Sequence, residues 1–402
     1  MLVADLYDPD VYVAGPPHET FTELRRSDPV HWQDMPDGTG YWAVLRHADV
    51  VHVARDPLTF SASEGGVVLE DLEPEMLERM RHMLLAMDPP VHPLHRKPLA
   101  PSFTAHVIGA MEGRIRAICR DILEGAAERG DVEFVHQVCS LLPSQVIGEL
   151  MGLPPEDWPR IHAWAEQNTS GQDTEITAYE QADSGGDAAT IEMAMYAIGL
   201  AATRRAQEPK EDLTSLILGS DFGDGPMSDI DFGSFFVQLV TAGNDTTKTM
   251  LSAGTQALVE HPDQLAALRA DPSLIPSAVE EILRWANPLH YFRRTATADT
   301  EVAGTPVAAG EKLAMMYTSA NRDESVFSDA QAFDIRRDPN PHLSFGIGTH
   351  FCLGAHLARL EGRVFFEELL ATFATIEETG EPSRVRSNLN NGLKRLPLRL
   401  QR

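Results

Sequence analysis

Apolar residues recur at helical spacing through much of the chain, so that each stretch has one apolar helix face. The repeats predict helices at 110–129, 141–152, 187–206, 229–260 and 353–373. Short apolar runs between turn residues predict strands in three β-richer parts, about 30–60, 290–345 and 380–402. With its helical bulk at about 75–285 and 353–373, the chain is predicted to be mainly α with small β-sheets. No Gly/Ser-rich or Pro-rich linker divides it, so residues 1–402 are predicted to form a single domain.

The longest predicted helix covers residues 229–260. Ser228 is its predicted N-cap, and His261 with Pro262 ends it. At ~1.5 Å per residue the helix spans ~48 Å, enough to cross the molecule. Because its first half is strongly apolar, we expect it to be central and buried.

Polar residues interrupt this helix at its middle, where residues 241–249 read TAGNDTTKT. Gly243 weakens a helix, Asp245 places a charge on a buried element, and threonine hydroxyls bond to backbone carbonyls and bend helices. A polar kink in a buried helix is typical of a functional site. The alternative is a solvent-exposed patch on a helix that is otherwise buried.

The composition narrows the class of protein. Lys and Arg number 33 against 60 Asp and Glu, a formal net charge of −27, which disfavours nucleic acid and anionic lipid as partners. The apolar runs fall short of the ~20 residues of a membrane helix, so no membrane insertion is predicted. Three cysteines are too few for a disulfide framework and fit a reducing, cytoplasmic setting.

One cysteine lies in a glycine-rich loop, FGIGTHFCLG, at residues 345–354. The helix predicted after Cys352 places the thiol at a helix N-terminus, where the helix dipole stabilises a thiolate. Such a residue is a metal ligand, a nucleophile or an inert core residue. Zinc is disfavoured because the sequence has no second Cys/His pair at ligand spacing. A nucleophile–base pair with His350 is disfavoured because alternate residues of an extended loop point to opposite sides.

This loop resembles the haem-binding signature of the cytochromes P450, F-G-x-G-x-H-x-C-x-G, at every defined position. The resemblance extends over essentially the whole chain, and bacterial soluble members are the most similar. It implies a cytochrome P450 fold, a single large domain that encloses haem b. It also implies that Cys352 is the thiolate ligand of the haem iron, that Phe345 shields the sulfur, and that Gly346 and Gly354 contact the haem.

Residues 88–96, DPPVHPLHR, match the family's D-P-P-x-H-x-x-x-R segment, which holds a haem carboxylate. Pro93 suits the first turn of this helix, and Pro98 predicts its early end. By resemblance, the propionate-binding residues are His92, Arg96, Arg294 and His350.

Glu281 and Arg284 match the family's E-x-x-R pair, three residues apart on one helix face. By resemblance they join Arg337, from the segment FDIRR, in a structural triad that holds the core around the cysteine loop. Without the other motifs, the pair would be interpreted as a surface ion pair.

The polar middle of the long helix resembles the family's oxygen-activation segment, [A/G]-G-x-[D/E]-T. The resemblance implies that Ala242 contacts the haem and that Gly243 lets O₂, the co-substrate, approach the backbone. It implies a Thr246 hydroxyl that hydrogen-bonds the dioxygen and an Asp245 carboxyl that relays protons from solvent. Asn244 occupies the variable position, where a polar side chain assists the relay or touches substrate.

Together these resemblances imply a haem-thiolate monooxygenase that inserts one oxygen atom from O₂ into a lipophilic small molecule. The chain has no flavin or iron–sulfur segment, so the resemblance implies electrons from a ferredoxin and its NAD(P)H-dependent reductase. An acidic ferredoxin needs a basic surface. The candidates for that surface, which are otherwise scattered solvated charges, are Arg96, Lys97, Arg114, Arg116 and Arg359.

The substrate pocket is predicted from position in the family. Its mostly apolar candidates predict a lipophilic ligand; they are Phe235, Val240, Leu289, Tyr291, Phe292, Leu389, Asn390 and Leu393. Residues 61–87 are predicted to form the roof of the pocket, although residues 83–87 could equally belong to the core. The polar segment at 168–187 is predicted to form a mobile lid. The run NPLHYFRRTATAD is similar to that of P450s acting on terpenoids, steroid side chains or branched fatty acids.

Two other functions compete with the monooxygenase. A peroxygenase would use H₂O₂ directly, and a non-catalytic haem-binding or ligand-binding protein would present its ligand to another enzyme. The complete acid–alcohol pair of Asp245 and Thr246 argues against both, because neither function needs that proton relay.

Overall fold

The computed structural model describes residues 4–169, 173, 175, 185–223 and 225–402. The long helix predicted at 229–260 spans Asp229–Glu260. Its N-cap is Ser228, whose hydroxyl accepts a hydrogen bond from the Asp231 backbone N–H at 3.1 Å, and His261 caps its end before Pro262. Both ends therefore lie where the sequence predicts them.

Helices form most of the described structure, as predicted. In chain order they are α1 His18–Ser27, α2 His47–Arg55, α3 Pro74–Arg81, α4 Val91–Arg96, α5 Ala105–Gly109, α6 Glu112–Arg129, α7 Leu141–Leu150, α8 Trp158–Thr169, α9 Gly185–Arg205, α10 Leu213–Gly219, α11 Asp229–Glu260, α12 Pro262–Ala270, α13 Ile275–Ala286, α14 Tyr317–Ala320 and α15 Ala355–Thr372. Helix α11 packs against α7, α8, α9, α13 and α15, and Phe232, Phe235 and Phe236 in its first half are fully buried. It is therefore the central helix that its apolar sequence predicts.

The strands are short and fall mainly in the β-richer parts predicted from the sequence. They are β1 Val30–Asp34, β2 Gly40–Val44, β3 Phe60–Ser61, β4 Asp131–Glu133, β5 Tyr291–Ala296, β6 Thr300–Val302, β7 Thr305–Val307, β8 Lys312–Met316, β9 Thr375–Glu378, β10 Ser383–Arg384, β11 Leu393–Arg395 and β12 Pro397–Gln401. The largest described sheet has the order β1-β2-β8-β5-β3, and β2 pairs with β8 in parallel. A second sheet has the order β4-β12-β9 and ties the chain end to the strand after α6.

The polar stretch lies within the unbroken helix α11. The hydroxyl of Thr246 donates to the Ala242 carbonyl one turn earlier, at 2.8 Å, so it bonds within the helix. The predicted alternative, a solvent-exposed patch, does not describe the whole stretch, because Asn244, Thr247 and Lys248 are each less than 5% exposed. Ala242 is exposed and Thr246 is half-buried, so the polar stretch is buried on one side and open on the other.

None of the helices in the described ranges is long and apolar enough to cross a membrane. The predicted lid at 168–187 lies largely outside the described residues, which omit 170–172, 174 and 176–184.

Candidate active site

The cysteine loop is held closed by its own backbone. The Cys352 N–H donates to the Phe345 carbonyl at 2.8 Å, so the loop turns back on itself before α15 begins. Gly348 has φ 75°, and a Cβ there would lie 2.7 Å from the Ala54 carbonyl oxygen. Gly346 also has a positive φ, 64°. Both glycines are needed for the turn that carries the thiol.

The surroundings of the Cys352 thiol act on its pKa in opposite directions, and the pKa is raised overall. Burial raises its pKa, whereas a hydrogen bond from the Gly354 N–H and the nearby guanidinium groups of Arg96 and Arg359 lower it. Burial raises the pKa of Cys119 to about 12, with no backbone N–H aimed at the sulfur. Among the three cysteines, Cys352 therefore has the surroundings of a ligand or nucleophile.

Phe345 packs at the base of the loop. The Arg359 guanidinium lies 4.5 Å from the centre of the Phe345 ring, and the Phe351 ring lies 6.3 Å away. Both Phe345 and Cys352 line one cavity. This packing is consistent with the shielding role expected for Phe345.

Glu281, Arg284 and Arg337 meet in the interior beside this loop. Two nitrogens of Arg284 donate to the Glu281 carboxylate at 2.7 Å each, and the Arg337 Nε donates at 3.0 Å. The side chains of Glu281 and Arg284 are 0% exposed. The arrangement is therefore a buried network and not a surface ion pair. Arg284 also donates to the Asn321 carbonyl, in the segment that leads to the cysteine loop.

Four nitrogen-bearing side chains converge on the cavity from different elements, α4, β5 and the cysteine loop: His92, Arg96, Arg294 and His350. The two imidazole rings are 4.5 Å apart, and the Nε2 atom of each is buried without a hydrogen-bond partner in the described structure. Burial and the neighbouring Arg96 lower the pKa of His92 to about 4. None of these four side chains forms an ion pair with a carboxylate of the described residues, so the cluster is suited to bind an anion.

Haem b carries two carboxylates and an iron, and the residues present fit it. The four donors would hold the carboxylates, and Cys352, on the same cavity, would bind the iron. Helix α4 ends at Arg96, before Pro98 as predicted, and Arg96 still reaches the cavity. The prolines therefore do not displace it.

The cavity face of α11 lies across from the thiol. Ala242, Gly243 and Thr246 line the cavity, and a Cβ on Gly243 would lie 3.3 Å from the Ile147 Cδ1 atom. Asp245 is not among the lining residues. Its Oδ1 atom lies 2.5 Å from the Lys248 Nζ atom. The acid and the alcohol therefore face different surroundings, although they are adjacent in sequence.

Comparison with known proteins decides the family. The cytochrome P450 family model matches residues 199–401. A steroid C26-monooxygenase of Mycolicibacterium smegmatis is 36% identical over 97% of this chain and 92% of its own length. The linalool 8-monooxygenase of Pseudomonas putida is 35% identical over 98% of this chain and 97% of its own.

Comparison of the fold with solved structures indicates the same family. The structure of a Mycobacterium marinum cytochrome P450 in complex with pseudoionone has a TM-score of 0.92, with 36% identity, over 98% of this chain and 97% of that one. The chain belongs to the cytochrome P450 family. Its enzyme class is that of the P450 monooxygenases.

Many of the residues predicted from the sequence line the cavity of this P450: His92, Arg96, Ala242, Thr246, Leu289, Phe292, Arg294, Phe345, Gly346, His350, Cys352 and Gly354. From the predicted roof, Leu84 and Leu85 line it, whereas Met87 packs in the core. The main contributions thus come from segments far apart in sequence.

Several predicted pocket residues point elsewhere. Tyr291 and Phe292 are neighbours on β5, so they face opposite sides. Phe292 lines the cavity, and Tyr291 packs with Tyr12 in a separate core cluster. On α11, Phe235 lies one turn before the lining residues, with its ring 6.5 Å from Phe222.

The remaining predicted pocket residues are also absent from the described lining. Val240 lies off the cavity face of α11, and it packs in the main core, as does Leu393. Leu389 packs against the cluster that contains Tyr12, and Asn390 forms a β-bridge with Leu289.

The predicted basic docking surface is largely neutralised. Arg114 pairs with Glu149, Arg116 with carboxylates that include Glu112 and Glu368, and Arg359 with Glu280. Arg96 lines the cavity. Of the five candidates, Lys97 is the exposed one without an ion pair in the described structure.

Proposed function

We propose that this P450 uses haem b, held by Cys352, to insert one atom of O₂ into a terpenoid, steroid or similar lipophilic chain. The observation that carries the proposal is one cavity lined by Cys352, by four nitrogen-bearing side chains that could hold two carboxylates, and by Thr246. When bound, a thiolate-ligated haem supplies the redox chemistry that splits dioxygen.

The residues of this chain then have distinct tasks. The Gly354 N–H, which hydrogen-bonds the Cys352 sulfur and lowers its pKa against the effect of burial, would favour the thiolate that binds the iron. His92, Arg96, Arg294 and His350 would hold the two haem carboxylates, the arginines by charge and the histidines by hydrogen bonds. The Thr246 hydroxyl lies on the cavity side of α11 and positions a proton there, and Asp245 restores that proton.

The lining of the cavity supports a lipophilic substrate. Leu84, Leu85, Leu239, Leu289 and Phe292 present apolar surface. The charged lining residues are those assigned to haem and the buried Glu361, so no described cluster of cations is left for an acidic substrate. The names of the relatives support the same class, since they include a steroid and the terpenoid alcohol linalool as substrates.

We propose that electrons come from a ferredoxin and its NAD(P)H-dependent reductase. The chain has no flavin or iron–sulfur segment of its own. Among the five candidate cations, Lys97, beside the cavity residue Arg96, is the exposed one without an ion pair in the described structure, and an acidic partner would dock there.

The test is isotope labelling. Purified protein is supplied with NADH, reductase, ferredoxin and ¹⁸O₂, and then with acyclic terpenoids, sterols and branched fatty acids in turn. One ¹⁸O atom per product molecule is expected from a terpenoid or a steroid. A product labelled only from H₂¹⁸O₂ would establish a peroxygenase instead. Binding of ligand and haem without any product under either condition would leave a carrier protein.

A further inference from the structure

A buried lysine on α11 is unexplained by the haem and the substrate. Lys248 is 4% exposed, and unpaired lysines are almost never found at such positions. Its Nζ atom lies 2.5 Å from the Asp245 carboxylate and 3.3 Å from the Glu166 carboxylate. It therefore joins the acid of the active-site helix to a second acid on α8.

The contacts continue outward from Glu166. The His136 Nδ1 atom lies 3.3 Å from the Glu166 Oε1 atom, and the His136 Nε2 atom lies 3.1 Å from the Lys394 carbonyl oxygen. Side-chain exposure rises along this route, from 6% at Lys248 to 20% at Glu166 and 42% at His136. The four side chains Asp245, Lys248, Glu166 and His136, here called the outer relay, run from α11 to the surface.

The charges in the outer relay support one another. Burial opposes the charge of Lys248, but the carboxylates of Asp245 and Glu166 outweigh it and raise the lysine pKa. Burial likewise opposes the charge of Glu166, but His136 and Lys248 lower the carboxyl pKa. A hydrogen bond to Glu166 raises the pKa of His136.

Other titratable groups face this site. Burial lowers the pKa of His162, whose Nδ1 atom is 3.0 Å from the Asn244 amide nitrogen, so this imidazole is neutral and accepts the bond. Glu133 accepts a hydrogen bond from the His136 backbone and adds negative charge beside it. Burial holds the Cys139 thiol neutral by raising its pKa.

We propose that Lys248 is a positioning residue that directs Asp245 away from the cavity and connects it through Glu166 to His136, so that Asp245 exchanges protons with solvent along the outer relay. For every proton that Asp245 gives up toward Thr246, one returns from solvent through His136, Glu166 and the Lys248 ammonium. The ammonium is protonated again at the end of each cycle. This inference rests on the proposed function, because it assigns the route that reloads the acid of that site.

The turnover test compares Lys248→Met, Lys248→Arg and the exposed control Lys210→Met. The measurements are product formed per NADH consumed and the solvent deuterium isotope effect on product formation. Lys248→Met is expected to lower product per NADH about tenfold, a smaller loss than the ~10²-fold typical of removing a catalytic acid itself. It is also expected to raise the solvent isotope effect. Lys248→Arg is expected to restore most of the loss because it keeps the charge, and Lys210→Met to match the wild type.

A second variant guards against a Lys248→Met protein that does not fold. Glu166→Gln keeps the Lys248–Asp245 pair and breaks the route one step further out. A several-fold fall in product per NADH is expected for it, because the outer carboxylate no longer carries the proton. Unchanged product per NADH in Glu166→Gln would overturn the relay even if Lys248→Met yields no protein.

A third measurement does not depend on turnover. Histidine Cε1 signals of the reduced, CO-bound protein are titrated by NMR, with His136→Gln used to assign the His136 signal. The nearby charge of Lys248 lowers the pKa of His136, so Lys248→Met is expected to raise it. An unchanged His136 pKa would show that the charge of Lys248 does not act on His136, and it would overturn the relay.

These outcomes separate the two proposals. If the wild type forms no labelled product, the proposed function itself is wrong. Labelled product from the wild type, with equal product per NADH in Lys248→Met, would leave the monooxygenase intact and overturn the relay.

Discussion

Two clusters of buried charge flank the cavity, and they are built differently. Around Glu281, two guanidinium groups, the Asp334 N–H and the Asn340 amide all bond to one carboxylate, and the side chains of the pair with Arg284 are 0% exposed. Around Lys248, each contact leads to a more exposed partner, as far as the 42% exposed His136. The first cluster is closed, whereas the second is open at one end.

The difference indicates what each cluster is for. A closed network with every lone pair used fixes one geometry, and breaking it leaves a charge buried without its partners. An open network has one end in solvent, so a proton that leaves the network can be replaced from solvent. We therefore assign the Glu281 cluster to shaping the cysteine side and the Lys248 cluster to proton supply on the oxygen side.

The largest effect is expected from breaking the closed cluster. Glu281→Gln leaves Arg284 and Arg337 buried without a counter-charge, at a cost of ~3–5 kcal/mol. We expect little folded protein with haem, measured as haem per chain after purification and as the free energy of unfolding. The matched control is Glu280→Gln, the preceding residue on α13, whose carboxylate contacts the partly exposed Arg359 and the His342 imidazole, so a smaller loss is expected.

If Glu281→Gln loses no more stability than Glu280→Gln, the closed cluster is not the structural centre of the cysteine side. That result would remove the contrast between the two clusters.

Another buried carboxylate, Glu361, has neither kind of network. It is 1% exposed, its Oε2 atom has no described partner, and burial raises its pKa to about 8 from an ordinary 4.5. Below about pH 4.5 the carboxyl is protonated in both the folded and the unfolded chain, so the free energy of unfolding is unaffected. Between about pH 4.5 and 8 the unfolded chain loses the proton first, which lowers the free energy of unfolding by up to ~1.4 kcal/mol per pH unit. Glu361→Gln should therefore raise the melting temperature more at pH 8 than at pH 5.

The measurement is a set of thermal unfolding curves of the haem-loaded protein between pH 5 and pH 8, for the wild type and for Glu361→Gln. Equal melting temperatures at both ends of this range would show that Glu361 has a partner in the loaded protein. The carboxylate would then belong to one of the two networks.

On the oxygen side, Thr246→Ala should change chemistry without changing the fold. The variant removes the hydroxyl that faces the cavity, so we expect NADH oxidation to continue while product per NADH falls on the order of tenfold, within the effect of losing a positioned proton donor. Thr255→Ala is the control, because its hydroxyl makes the same bond to the carbonyl one turn earlier, at 2.8 Å, away from the cavity. A Thr246→Ala protein as well coupled as Thr255→Ala would argue for a peroxygenase or a carrier.

The smallest effect is expected at the surface. Because Arg114, Arg116 and Arg359 are already paired with carboxylates, Lys97→Glu should weaken ferredoxin binding, and the loss should shrink as salt is added. We expect the KM for ferredoxin to rise a few-fold with little change in kcat. Lys210→Glu makes the same charge change at another exposed lysine, so an equal rise there would exclude a specific role for Lys97.

The sequence predicts this molecule well where one segment carries its own signal. Helix α11 begins and ends at the predicted residues because Ser228 and Pro262 act locally. The cysteine loop depends on Gly346 and Gly348, whose positive φ angles are a local requirement. Both regions can therefore be predicted from the local sequence alone.

What the sequence does not predict is set by contacts between distant segments. Lys248 was visible within the polar stretch, but its role depends on Glu166 and His136, which lie far away in sequence. The direction of Tyr291 depends on which side of β5 faces the cavity, and the neutralisation of Arg116 depends on carboxylates of α15. No local pattern encodes those pairings.

The most direct test of the account is the reduced, CO-bound difference spectrum of the purified wild type, beside Cys352→Ser and the control Cys119→Ser. We expect a band near ~450 nm for the wild type and for Cys119→Ser, and its loss in Cys352→Ser, because Cys352 alone supplies the thiolate. A wild-type band near ~420 nm, or an unchanged ~450 nm band in Cys352→Ser, would contradict it.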